Sequence, residues 1–241
     1  MDSNVKIWQE ELRQAANPGK IGILSSFFKT GKGEYGEGDL FIGLTVPLNR
    51  SISRKYHNEP HEALSAMLTS PIHEFRLAAL LALVERARKA KTDVVRRKAI
   101  ADFYLAHTDH INNWDLVDLS APQIIGEYMV AAGSCEIAYR LARSSRMWEQ
   151  RIGIVSTFTL IKHGHFDATL RIAEQLLTHR HDLIHKATGW MLREVGKRDE
   201  ATLAAFLDAH CTSMPRTALR YAVERLDPTT RKHYMTKRSN D

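Results

Sequence analysis

From about residue 60 to residue 226 the chain is a succession of amphipathic helical runs, and the runs repeat. The clearest covers 74–89. Leu77, Leu80, Leu81 and Val84 fall on one face there, while Arg76, Glu85, Arg86 and Lys89 lie largely off it. That spacing belongs to a helix with one side in a core. Similar runs are expected at about 93–107, 115–131, 134–143, 148–163, 166–178, 182–197, 199–209 and 215–226. The separators are short and carry helix stop or start chemistry, with Pro71, Gly133, Ser134, Gly164, Asp182, Asp199 and Pro215 the clearest. No alternating strand pattern of useful length appears among them, so the fold class is all-α.

The segments EFRLAALLALV (74–84), EQRIGIVSTFTL (149–160), IHKATGWMLREV (184–195) and MPRTALRYAVERL (214–226) resemble one another. Each opens with a basic residue, Arg76, Arg151, Lys186 or Arg216, and continues with small and apolar side chains. Arg151 and Lys186 are 35 residues apart, Lys186 and Arg216 are 30 apart, and Arg76 precedes Arg151 by 75, the length of two repeats. The intervening repeat is DLVDLSAPQIIGEYMV (115–130), whose equivalent slot holds Asp118. Two helices per 30 to 45 residues describe a superhelical solenoid of HEAT-like repeats with a concave surface. Equivalent positions would line one wall as a row of cations interrupted by one carboxylate. The expectation is a single domain over 1–241, less regular before about residue 60, with a short flexible basic tail from about 229 to 241.

The formal charge is +6, from 34 Lys and Arg against 28 Asp and Glu. An excess of that size permits a polyanionic partner without requiring one. A row of cations at repeat spacing is what a nucleic-acid backbone calls for, and Lys29, Arg50, Arg54, Lys55, Arg193 and Arg220 supplement it. Solvated helix-face charges are the plainer explanation of the same row. The two cysteines, Cys135 and Cys211, are far apart and form no metal or disulfide pattern, which fits a reducing cytoplasm. No apolar run is long enough to cross a bilayer. His181 and His185 are spaced i, i+4 but no third ligand stands out, so no metal or other cofactor is expected. The glycine-rich stretch 31–38 lacks a terminal Gly-Lys-Ser/Thr and carries Glu34 and Glu37, with Asp39 beside it. It is therefore read as a structural crossover and not as a phosphate loop.

Asp118 opposes phosphate binding and so needs another reason to stand in the row. Either it pairs with Arg151 or bonds local backbone near Pro122, or it sits where positive charge develops in a reaction. Trp114 lies one turn before it on the same face, and Trp190 one turn after Lys186. Two tryptophans beside one row fit a stacking or cation-binding surface.

At these residues the sequence resembles the AlkD-like family of bacterial DNA alkylation repair glycosylases. NWDLVDL (113–119) is similar to the family's Trp-Asp-x-Val-Asp motif, WEQRIGIVS (148–156) to its Trp-x-x-Arg block, and KATGWMLREVGK (186–197) to its Lys-Ala-x-Gly-Trp block. Segments at 27–43, 72–84 and 214–224 also look like family segments, so the resemblance spans roughly residues 20–226. It implies a catalytic set of Asp118, Trp114, Arg151 and Trp190, and DNA contacts at Lys29, Arg50, Arg54, Arg76, Lys186, Arg193, Arg216 and Arg220. Two departures from some relatives are Asn113 in place of a second Trp and Phe27 in place of an aromatic hydroxyl.

The implied substrates are purines alkylated at N7 or N3 in double-stranded DNA. Such bases are cationic and leave readily, so the burden falls on the oxocarbenium-like sugar, which Asp118 would stabilise while water attacks. Trp114 and Trp190 would pack on the sugar and backbone, and Arg151 would anchor a phosphate and keep Asp118 ionised. The expected protein is a cytoplasmic monomer, nucleoid-associated when bound to DNA. Two rival readings are a non-catalytic HEAT-like binder of branched or damaged DNA and a protein–protein scaffold.

Overall fold

Helix pairs carry the architecture in a computed structural model that describes residues 3–237. The chain divides into two compact units, Met1–Ile124 and Ile125–Asp241. The first contains α1 (Ser3–Gln14), α2 (Ile21–Phe27), α3 (Val46–Ser53), α4 (His61–Leu68), α5 (His73–Ala90), α6 (Val94–Leu105) and α7 (Trp114–Asp118). The second contains α8 (Glu127–Ala132), α9 (Glu136–Ala142), α10 (Met147–Lys162), α11 (Asp167–Leu176), α12 (Asp182–Gly196), α13 (Glu200–His210), α14 (Arg216–Ala222) and α15 (Pro228–Thr236). Among the described residues the only β-type pairing is an isolated parallel bridge between Leu40 and Ile72. The fold is all-α, as the periodicity requires.

Helices start where short polar side chains can take up free amides. Asp93 accepts from the amide of Arg96, Asp199 from that of Thr202, and Asn113 from that of Trp114. In the first unit α5 is the central helix. It packs against α3, α4, α6 and α7, and it buries Phe75, Leu77, Leu80, Leu81 and Leu83. Each such side chain taken out of water contributes about 1.5–3 kcal/mol before ordering entropy is subtracted. In the second unit the later helices of successive pairs lie against one another, α10 on α12 and α12 on α14, and α9 packs on α11. This stacking of helix pairs is the HEAT-like repeat.

The run 115–131 is one helix by its periodicity and three pieces in the structure: α7, a π-helical turn (Pro122–Gly126) and α8. Pro122 gives the reason. Its ring would collide with the carbonyl four residues back, that of Asp118, and it has no N–H to donate. The tail from about 229, read from the sequence as flexible, is helical as far as Thr236. Asp227 caps α15 by accepting from the amides of Thr229 and Thr230, Pro228 sits in its first turn, and Tyr234 is buried in the cluster with Leu203, Phe206 and Leu207. Residues 238–241 lie outside the described residues. Among those described, no helix is long and apolar enough to cross a membrane.

Candidate active site

The glycine-rich crossover is tied to the start of α5. The amide of Leu40 donates to Pro71 O at 3.0 Å and that of His73 donates to Leu40 O at 2.8 Å. Both residues flanking Leu40 meet His73. Asp39 Oδ2 lies 2.9 Å from its Nδ1, and the Phe41 ring stacks on the imidazole at 4.7 Å. Glu74 then gathers the next three amides, with Oε1 accepting from Ile42 (3.1 Å), Gly43 (2.9 Å) and Leu44 (3.2 Å). Gly43 has φ +87°, and a Cβ there would stand 2.0 Å from Asn17 O, so only glycine fits.

These ties shape a cleft of about 500 Å³ in the first unit, walled by Phe27, Phe28, Phe41 and Trp114 and bordered by Asp115 and Asp118. Phe28 is its hub. Its ring stacks on Trp114 at 5.3 Å and on Phe41 at 5.2 Å, and Phe27 meets Trp114 edge-on at 5.7 Å. Phe27 is nonetheless 59% exposed, so the mouth of the cleft presents an aromatic ring to solvent. Lys29, just beyond α2, takes a left-handed backbone (φ 56°) that ends the helix below this pair.

Trp114 and Asp118 are the first and last residues of α7, four apart and on one face. Both line the cleft and both are half-buried. Asp118 lies close enough to Tyr104 to add to the upward shift of that phenol, which burial chiefly causes.

Behind the aromatic wall is a buried charge network. His73 Nε2 is 2.9 Å from Asp115 Oδ2, and Asp39 Oδ1 accepts from the Arg76 guanidinium at 2.7 Å, which also donates to Ser70 O at 3.1 Å. Burial works to lower the pKa of His73. The charge and hydrogen bond of Asp115, with the hydrogen bond to Asp39, outweigh it and raise the imidazolium pKa to about 9. Burial likewise works to raise the Asp39 carboxyl, yet His73 and Arg76 hold it below its ordinary value.

Of the residues predicted from sequence, Trp114 and Asp118 come together in this cleft. Arg76 does not serve the expected phosphate row: it is 4% exposed and bound to Asp39. Lys29 and Arg54 are exposed, and Arg50 is half-buried with a guanidinium pKa lowered by burial and by Arg54. In the second unit Arg151 is also only 4% exposed, and its Nη1 donates to Leu183 O. Trp190 is half-buried on α12, 5.8 Å from the Phe158 ring, with Nε1 donating to Glu194 at 3.3 Å. Lys186 pairs with Asp182 at 2.7 Å and Arg193 with Glu224. Arg216 is exposed and donates to Met235 O, and Arg220 is exposed.

Sequence reasoning missed Phe28, Phe41, His73 and Asp115. The adjacent pair Phe27 and Phe28 ahead of a glycine-rich crossover was the available signal for the first two. Among the described residues no three His, Cys, Asp or Glu side chains group so as to hold a metal ion.

A family model described as DNA alkylation repair enzyme matches residues 8–226. Among solved structures the chain is similar to a predicted DNA alkylation repair enzyme from Enterococcus faecalis, with 17% identity and a TM-score of 0.69 over 88% of this chain and 97% of that one. That likeness shows a shared fold. No curated protein matches.

Proposed function

For a chain that belongs to the DNA alkylation repair enzyme family, we propose the activity of a DNA N-glycosylase that excises N7- and N3-alkylated purines from duplex DNA. The observation that carries this reading is the cleft in which Asp118 borders four aromatic rings. A cationic purine departs with its bonding electrons and leaves positive charge on the deoxyribose. A carboxylate about 4 Å from that charge stabilises it by up to about 4 kcal/mol at an effective dielectric near 20, or about three decades in rate. Aromatic faces add attraction for a cation and keep bulk water away. Asp118 stabilises the sugar cation and orients the attacking water, while Trp114 packs against the sugar.

Trp190 and Arg151 complete the set that the family resemblance implies, Arg151 acting from within the buried start of α10. Lys29, Arg50, Arg54, Lys186, Arg193, Arg216 and Arg220 are the proposed phosphate contacts, on double-stranded DNA bound by a cytoplasmic monomer. The test is single-turnover release of 3-methyladenine and 7-methylguanine from methylated duplex. Wild type is expected to release both, and Asp118→Asn to fall by about two to three decades while still binding DNA. Binding without release by wild type would make the protein a non-catalytic DNA binder.

A further inference from the structure

Both ring nitrogens of His73 face carboxylate oxygens at 2.9 Å, Nδ1 toward Asp39 and Nε2 toward Asp115. A neutral imidazole has one N–H, and an ionised carboxylate only accepts. Two such contacts at hydrogen-bond length require both nitrogens to donate. Two aromatic rings also lie against the imidazole, Phe28 at 4.9 Å and Phe41 at 4.7 Å. The charged groups around the ring are Asp39 from the crossover, Asp115 from α7, and Arg76 from the same helix, α5. The neighbouring Glu74 carboxylate is turned to the amides of residues 42–44. Two carboxylates against His73 and Arg76 close to zero net charge only when His73 is an imidazolium.

The position of this ring gives it a consequence for the cleft. Asp115 is next to Trp114 and three residues before Asp118, all in one short helix. Phe28, pressed on the imidazole, is also the ring on which Trp114 stacks. We propose that His73 is a positioning residue for base excision: as a clamped imidazolium it ties α7 to the Phe28–Phe41 stack and so fixes where Trp114 and Asp118 present themselves. It touches no substrate and acts through those two. The effect on rate rests on the glycosylase reading; the clamp itself does not.

The clamp is tested on the full chain labelled with ¹⁵N-histidine. Of its twelve histidines, His73 is identified by loss of its signals in His73→Gln, or by their shift in Asp115→Asn if the first variant does not fold. The expected result is a His73 ring with both nitrogens protonated at pH 8, titrating near pH 9, and titrating lower in Asp115→Asn. Near-ultraviolet circular dichroism from Trp114, isolated by difference from Trp114→Phe, should collapse over the same pH range. A singly protonated tautomer at pH 8 overturns the proposal, as does a Trp114 signal indifferent to the titration. In single turnover, Asp115→Asn should slow base release by about tenfold or more with DNA affinity kept within about twofold; an unchanged rate, or equal losses in both, also overturns it. If wild type releases no base, the glycosylase reading falls, and the ring-nitrogen and Trp114 spectra still decide whether His73 is the clamp.

Discussion

The second unit and the cleft of the first unit are held together by different means. In the second unit, helix pairs meet through apolar side chains and spaces left by glycine. A Cβ on Gly189 of α12 would stand 2.3 Å from Ala218 O on α14, so the two helices approach at a distance only hydrogen allows. Around the cleft the chain between α2 and α3 lacks regular structure, and buried ionic groups organise it instead: Glu74 on three amides, and Asp39, His73, Asp115 and Arg76 on each other. Apolar packing tolerates change of pH and adapts in small steps. A buried ionic network is rigid while every member is satisfied and fails sharply when one is lost.

That contrast can be broken at graded points. The largest stability effect is expected for Glu74→Ala, which strands the amides of Ile42, Gly43 and Leu44. A loss of about 3–5 kcal/mol should appear in urea unfolding, with Glu74→Gln losing much less because an acceptor remains. Next comes pH. His73 has a folded pKa of about 9 against an ordinary 6.5. Its contribution, on the order of 3 kcal/mol, is present in full below about pH 6.5, declines above it, and is gone once pH passes about 9. Thermal unfolding between pH 6.5 and 9.5 should show this decline, and His73→Gln should flatten it. Gly189→Ala in the second unit is expected to cost about 1–3 kcal/mol with no dependence on pH in that window. A steep pH dependence there would end the distinction between the two regions. The smallest effect belongs to Lys186→Ala on the exposed side of α12. Its stability should hardly change, and the slope of log affinity for duplex DNA against log salt should fall by about one.

What could be read from the sequence, in either unit, is what helical spacing encodes. Leu77, Leu80 and Leu81 announce α5 by spacing alone, and the helices from α9 to α14 follow the same rule. Trp114 and Asp118 were legible because a turn of helix separates them and nothing apolar accounts for a carboxylate in that slot. Arg76 misled for a physical reason: equivalent repeat positions were read as one exposed row, but a charge at the start of α5 can be buried when a distant segment supplies Asp39. No local pattern encodes that partnership, since it depends on the crossover folding back 37 residues to meet the helix. Phe28, Phe41 and His73 were hidden likewise. Their roles exist only after Leu40 has paired with Ile72, and Pro122 was needed to see that α7 stops at Asp118.

The stack of Phe28 on Trp114 also dictates an order of events during synthesis. Phe27, Phe28 and Phe41 leave the ribosome before Trp114, which follows Phe28 by 86 residues. At about 5–20 residues per second, these three rings wait several seconds for the helix that covers them. In that interval they form an exposed aromatic surface on a nascent chain. The aromatic wall of the cleft is thus also a segment that a chaperone would have to shield before α7 emerges.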